Sequence, residues 1–297
     1  MNWFSEPMQY EFFRHGLVVA IMIGGICGVV GTVVVLRRMS YIGHGLSHSV
    51  FGGAVVAYLI NINFYLGAGL WGFLSALLIN ATARRRNIGG DAAIGIVTTS
   101  SFALGVALIS RYRTFTRNFE AALFGNILGV TGQDIKVVTA VCVIVLIAAI
   151  VFYRQLLFTS FDPELADVFG ISSAWVETGF ALALAAVIVA SMNIVGVTLI
   201  AAAIVIPPST ARLLTDSFGR MMILAGILGA FSGCVGMFVS FHEDVASGSA
   251  VVLLNASLFA IAYAGTSGRR WAVSHRHANA PSPAWQVHNP GTNSGRD

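Results

Sequence analysis

The sequence predicts an all-α, polytopic membrane protein with about nine transmembrane helices. Three observations carry this. First, 56% of the 297 residues are hydrophobic and 10% are charged, against about 25% charged in an average soluble domain. Second, mean hydropathy is +0.80, and the apolar residues fall in runs near the ~20 residues needed to cross a bilayer. Third, runs such as 137–151 show none of the apolar/polar alternation of a membrane barrel. With 17 basic and 13 acidic residues, the chain cannot cover a water-facing surface. A soluble globular enzyme, a disordered chain and a secreted disulfide scaffold are therefore excluded.

Taken in order, residues 1–15 are mixed in composition and form an extracytoplasmic or interfacial segment. No small-residue cleavage site follows the first apolar run, so no cleaved signal peptide is expected. Membrane segments follow at about 16–36, 42–60, 65–82, 91–110, 135–157, 174–191, 194–213, 218–240 and 249–267. Met192 and Asn193 alone separate two of these, and one broken helix in their place would leave eight crossings. The stretch 118–130 is too short to span and reads as a surface or re-entrant piece. Pro207 and Pro208 should kink or end their helix. The pairs Gly24/Gly28 and Gly229/Gly233 let backbones approach, either within the chain or between subunits. The tail 269–297 is rich in Ser, Pro, Asn, Gly and Arg and is expected to be disordered and cytoplasmic.

Basic residues set the orientation. With nine crossings and the C-terminus inside, Arg37, Arg38, Arg84, Arg85, Arg86, Arg154, Arg212, Arg220, Arg269, Arg270, Arg276 and Arg296 are cytoplasmic. Arg14, Arg111, Arg113, Arg117 and Lys136 are outside, the cluster at 111–117 being the one conflict. Lys136 is the chain's single lysine, in the context Gln-Asp-Ile-Lys-Val, so a phosphate-cradling GxxxxGK[ST] loop is impossible. Any ATP hydrolysis belongs to another polypeptide. Cys27, Cys142 and Cys234 lie in apolar runs without metal-binding spacing and read as small buried hydrophobes.

Three constellations carry chemistry. His44 and His48 stand four apart in Gly-His-Gly-Leu-Ser-His, one helical turn apart on one face. Both imidazoles can reach one metal ion and leave coordination positions open. The same spacing also suits two interfacial histidines bonded to backbone or water. Asp162-Pro-Glu-Leu-Ala-Asp-Val-Phe-Gly170 encodes a short helix. Asp162 caps it, Pro163 suits the first position, Glu164 favours the positive end and Gly170 stops it. Its apolar residues Leu165, Val168 and Phe169 suit docking into a partner's groove, although a simple interfacial helix fits too. His242, Glu243 and Asp244 form an acidic, imidazole-containing loop on the outside, either a cation entry or a solvated turn.

The linked motifs Leu-Arg-Arg-Met-Ser-Tyr-Ile-Gly-His-Gly-Leu-Ser-His (36–48), Phe-Gly-Asn-Ile-Leu-Gly-Val (124–130), Thr-Ser-Phe-Asp-Pro-Glu-Leu-Ala (159–166), Gly-Val-Thr-Leu-Ile (196–200), Ile-Pro-Pro-Ser-Thr-Ala (206–211) and Ala-Ser-Gly-Ser-Ala-Val-Val-Leu (246–253) carry a resemblance. Over about residues 10–268 the chain resembles the membrane permease subunit of zinc/manganese/iron-type ABC importers. That family is related in architecture to cobalamin and siderophore importers. The resemblance implies that 16–268 is the ABC-importer transmembrane domain, in the cytoplasmic membrane of a prokaryote. It implies a permease homodimer with the pathway between subunits, two copies of a cytoplasmic ATPase, and an extracytoplasmic solute-binding protein. No nucleic acid and no permanently bound cofactor are implied. The helix 163–169 matches the family's coupling helix.

In this family the intramembrane metal site usually reads Gly-Asp-x-x-Ser-His. Here His48 matches the histidine and His44 stands in the carboxylate position. Two imidazoles favour zinc as the transported ion, with iron, nickel or copper next, over manganese, which prefers oxygen ligands. Binding needs deprotonated imidazoles, so affinity should fall below about pH 6. A same-fold permease with a non-metal cargo and an ATP-independent metal channel or secondary transporter are the rival readings. An intramembrane metalloenzyme is disfavoured because no HExxH occurs.

Overall fold

The first apolar run folds as α1, Glu11–Leu36, in a computed structural model that describes residues 3–39, 41–83, 89–112 and 127–278. The helix starts before the apolar run does because its first turns are packed: Phe13 is fully buried, edge-to-face with Phe238 and Phe241. Ten further helices follow among the described residues: α2 (Tyr41–Leu59), α3 (Phe64–Ala83), α4 (Gly90–Tyr112), α5 (Gly132–Val151), α6 (Tyr153–Phe161), α7 (Pro163–Val168), α8 (Ser173–Val195), α9 (Val197–Leu214), α10 (Phe218–Glu243) and α11 (Ser247–Ala278). No strand occurs among them. Nine of the eleven are 18 residues or longer, and 7 are long and apolar enough to cross a membrane by length and composition. The two others are α2, diluted by its histidines, serines and glycines, and α9, which contributes a shorter apolar stretch.

Three boundaries differ from the sequence reading. The run 135–157 is two helices, broken at Phe152, whose ψ of 17° leaves the α region. The chain reverses at Gly196, not at Met192 and Asn193. Gly196 has a φ of +88°, which L side chains rarely adopt, and this turn is buried. Irregular backbone at membrane depth is tolerated where protein surrounds it. The last helix continues to Ala278, through part of the expected tail, since no proline interrupts it before Pro281. Residues 279–297 lie outside the described residues, as do Arg84, Arg85, Arg86, Arg113, Arg117 and most of 118–130. Of that last stretch, Ile127–Gly129 forms a 3-10 turn against Gly16.

Pro207 and Pro208 do not end α9, which continues through both to Leu214. Pro208 has no N–H to offer the Ile204 carbonyl, and that oxygen instead meets the Cα of Gly31, where any Cβ would overlap it. Ser209 and Thr210 return hydroxyl bonds to the Val205 and Ile206 carbonyls at 2.7 and 2.9 Å.

The glycine pairs pack within the chain. α1 and α10 run antiparallel, with Gly24 against the Gly229 carbonyl, Gly28 against that of Ala225, and Gly233 against that of Ala20. Backbone-to-backbone contact of this kind replaces the hydrophobic effect, which does not act between helices in lipid. The loops sort to two ends. Arg37, Thr159 and Ser160 meet at one, as do Val35, Leu36, Ala211 and Met221. Residues 3–13, Ile127 and 238–242 gather at the other.

The seam yields a stability test. Gly28→Ala would drive its methyl into the Ala225 carbonyl, whereas a Cβ at Gly25 meets nothing nearer than 3.7 Å. Gly28→Ala should cost about 1–3 kcal/mol and lower the thermal unfolding midpoint in detergent. Gly25→Ala, measured alongside, should leave it near the original value.

Candidate functional site

α2 carries the histidine pair on one face, as a four-residue spacing on a helix requires. The rings of His44 and His48 lie 4.4 Å apart between centroids, inclined at 70°. His48 is held edge-on to Phe102 of α4, at 5.1 Å, and the Ser47 hydroxyl donates to the His44 carbonyl at 2.9 Å. Behind this face α2 is locked in place: Ser49 donates to Ser75 of α3 at 2.6 Å. Gly45 admits Ile94 and Thr98 of α4.

The two rings open into a cavity of about 510 Å³ between α2 and α4. Tyr41, His44 and His48 line it from α2, and Asp91, Gly95, Thr98, Thr99 and Phe102 from α4. Asp91, Gly95 and Thr99 recur every four residues, so they form a stripe along one face of α4. Tyr41, His44, Asp91, Gly95 and Thr99 are all exposed on the single chain. Polar and ionisable side chains in membrane helices face a protein interior or a water-filled path, not lipid. The Thr98 hydroxyl oxygen in the cavity wall is buried with no hydrogen-bond partner. Among the described residues no three His, Cys, Asp or Glu side chains converge closely enough to hold a metal ion. Within the described residues the histidine pair thus offers two imidazoles and no third side chain of these types beside them.

The short helix α7 forms as its sequence requires. Asp162 accepts from the Leu165 N–H at 2.9 Å, and Pro163 occupies the first turn. At its end Gly170 takes a φ of +77°. The Gly170 N–H bonds the Asp167 carbonyl at 3.0 Å and the Ile171 N–H bonds that of Ala166 at 2.9 Å, the paired closure of a Schellman stop. α7 is lashed to the start of α8 by Ser173, which donates its N–H to Asp167 at 2.8 Å and its hydroxyl to the Pro163 carbonyl at 2.9 Å. Ala166 is the buried side. Leu165, Val168 and Phe169 are 44%, 81% and 69% exposed, an apolar surface that the chain itself leaves uncovered.

The outer loop does not join the histidine pair. His242 lies at the opposite end of the molecule, stacked on Trp3 at 3.6 Å, with Nδ1 at 2.9 Å from the Phe238 carbonyl. Asp244 adopts the left-handed conformation that terminates α10, and Glu243 is the last residue of that helix. Cys27, Cys142 and Cys234 are free.

Set beside known proteins, this arrangement has relatives. The model of the ABC 3 transport family matches residues 9–266. The chain belongs to the ABC 3 transport family. It is 38% identical to the manganese transport system membrane protein MntC of Halalkalibacterium halodurans, over 88% of this chain and 89% of that one. It is 37% identical to the manganese import system permease protein ScaB of Streptococcus gordonii, over 86% and 91%. The solved structure of PsaBC from Streptococcus pneumoniae in complex with Fab superposes with a TM-score of 0.79, at 34% identity, over 88% of this chain and 94% of that one. This ABC 3 chain is thus a multi-pass membrane protein, the permease subunit of a metal ABC importer, and not itself an enzyme.

Two residues of this ABC 3 permease escaped the sequence reading. Asp91 carries no motif or spacing that would single it out in the sequence; only the parallel packing of α4 on α2 brings it to the histidine cavity. Arg37 served as a topology marker. In the structure its guanidinium donates to Thr159 at 2.7 Å and to Ser160 at 3.4 Å, and lies 5.5 Å from the Phe180 ring centroid. Burial lowers its pKa, and Glu177 pulls it back up. No spacing rule could have paired residues this far apart in sequence. Arg37→Ala should cost about 1–2 kcal/mol through the lost charged hydrogen bonds, read as a lower unfolding midpoint. Arg37→Lys should recover only part, because an ammonium cannot reproduce the guanidinium fork.

Proposed function

We propose that this permease imports a divalent transition metal ion, with His44 and His48 as its transient ligands inside the membrane. The observation that supports this is the imidazole pair opening into a cavity on a polar face of α2 and α4. A second copy of the chain would cover that face and bring its own His44 and His48, completing a coordination set that one chain leaves open. Nitrogen donors favour zinc, then iron, over manganese. The names of the relatives make manganese an obligatory comparison, and that of a "Probable iron transport system membrane protein" from Haemophilus influenzae, 35% identical, does the same for iron.

In this reading an extracytoplasmic binding protein docks at the end that carries His242, Glu243 and Asp244, whose charge draws the cation inward. Two ATPase subunits each receive one α7 helix in a groove. ATP binding closes them, and α7, fixed to α8 by Ser173 and Asp167 and close to α2 through Arg37, carries the motion to the histidine helix. Bond-breaking occurs in the ATPase, and the permease supplies path and gate.

Two experiments address the two halves. In proteoliposomes holding the complete importer, His44→Ala and His48→Ala should each reduce zinc uptake by about tenfold or more. Unchanged uptake of zinc, iron and manganese in both variants would falsify the metal-site assignment. For the coupling surface, Leu165→Asp with Phe169→Asp should abolish co-purification of the ATPase, since a charge would be buried unpaired in the groove. An undiminished complex would remove α7 from that interface.

A further inference from the structure

The histidine cavity contains a carboxylate whose position along the helices is informative. α2 and α4 run parallel, with Gly45 against Ile94 and Thr98, and Gly52 against Ser101 and Gly105. Asp91 precedes Ile94 by one turn, about 4.5 Å at 1.5 Å per residue. It therefore stands level with the start of α2, before His44. That start is also the end nearest the coupling helix, because Arg37, just ahead of α2, bonds Thr159 at 2.7 Å, just ahead of α7. Along the membrane axis the order is His48, His44, Asp91, then the coupling-helix end.

Asp91 is exposed, and its carboxylate makes no hydrogen bond or ion pair with another described residue. It is nevertheless too far from the imidazoles for the three side chains to hold one ion together. Level with the histidines, beside Gly45, the unpartnered Thr98 hydroxyl offers a further oxygen in the cavity wall. Two neutral imidazoles bind a divalent cation without offsetting its charge. A carboxylate does offset it, and so makes the next position downhill for a cation leaving the histidines.

We infer that Asp91 is a second station on the metal path, an oxygen site that takes the divalent cation from the His44/His48 pair and passes it toward the coupling-helix end. This rests on the metal-import reading and deepens it. The position divides the work of the cavity. The imidazoles select the ion, and the carboxylate one turn away draws it off them, so that tight selection does not become a trap. A purely local role for Asp91, favouring the N-terminal end of α4, would alter stability and leave transport intact.

The test separates binding from passage. The complete importer carrying Asp91→Asn, Asp91→Glu, His48→Ala or no change is purified. Zinc and manganese binding are measured by equilibrium dialysis in detergent, and uptake of each in proteoliposomes with the binding protein. Asp91→Asn should leave equilibrium binding within about twofold but slow uptake by about tenfold, and Asp91→Glu should restore most of the uptake. His48→Ala should lose binding itself. Unchanged uptake in Asp91→Asn overturns the inference. So does a parallel loss of binding and uptake, which would make Asp91 an ordinary member of a single site, and so does Asp91→Glu as slow as Asp91→Asn. If His48→Ala binds and transports normally, the histidine site itself fails. If only the Asp91 results fail, that site stands and the second station falls.

Discussion

The backbone contact of α1 with its neighbours is the constraint on which the rest depends. Gly24 and Gly28 let the carbonyls of α10 reach the backbone of α1, and Gly31 does the same for the Ile204 carbonyl of α9. Ile204 in turn packs against Gly43 at the head of α2, 3.4 Å from where a Cβ would stand, next to His44. The position of the histidine helix is thus passed from α1 to α9 through backbone and from α9 to α2 through the single side chain of Ile204. In a bilayer, where helices gain nothing by hiding from lipid, close packing of this kind is the available source of precision.

α1 ends at Arg37, which ties its terminus to Thr159 and Ser160 ahead of α7. α7 itself is closed at both ends and bonded to α8. A push on its exposed apolar face therefore meets a small rigid body mounted on long helices. The fold places the histidine cavity at one end of this linkage and the uncovered apolar surface of α7 at the other. Packed helices have discrete arrangements and do not deform smoothly. That suits a gate driven by a partner's closure.

Much of this was legible in the chain. Apolar run lengths located the nine long helices, because bilayer thickness fixes how many residues must be apolar. The short helix α7 was legible to within a residue, because Asp162, Pro163 and Gly170 act through local bonds that sequence spacing specifies. The His44/His48 pairing followed from helical periodicity. Two of the differences have a common cause. The buried reversal at Gly196 and the passage of α9 through Pro207 and Pro208 both depend on neighbouring helices that accept unusual backbone. The break at Phe152 has no such signature in the sequence.

The sequence by itself determined that this protein is a helical membrane conduit without its own ATPase, with two histidines on one face and a capped apolar helix on one side. These follow from composition, from the single lysine and from periodicities of one or two turns. Tertiary structure alone decided that the glycine pairs seal α1 to α10 within the chain, that Arg37 reaches Thr159, and that Asp91 stands in the histidine cavity. Each joins residues distant in sequence, and such contacts are fixed by which helix packs on which, in what direction and at what register.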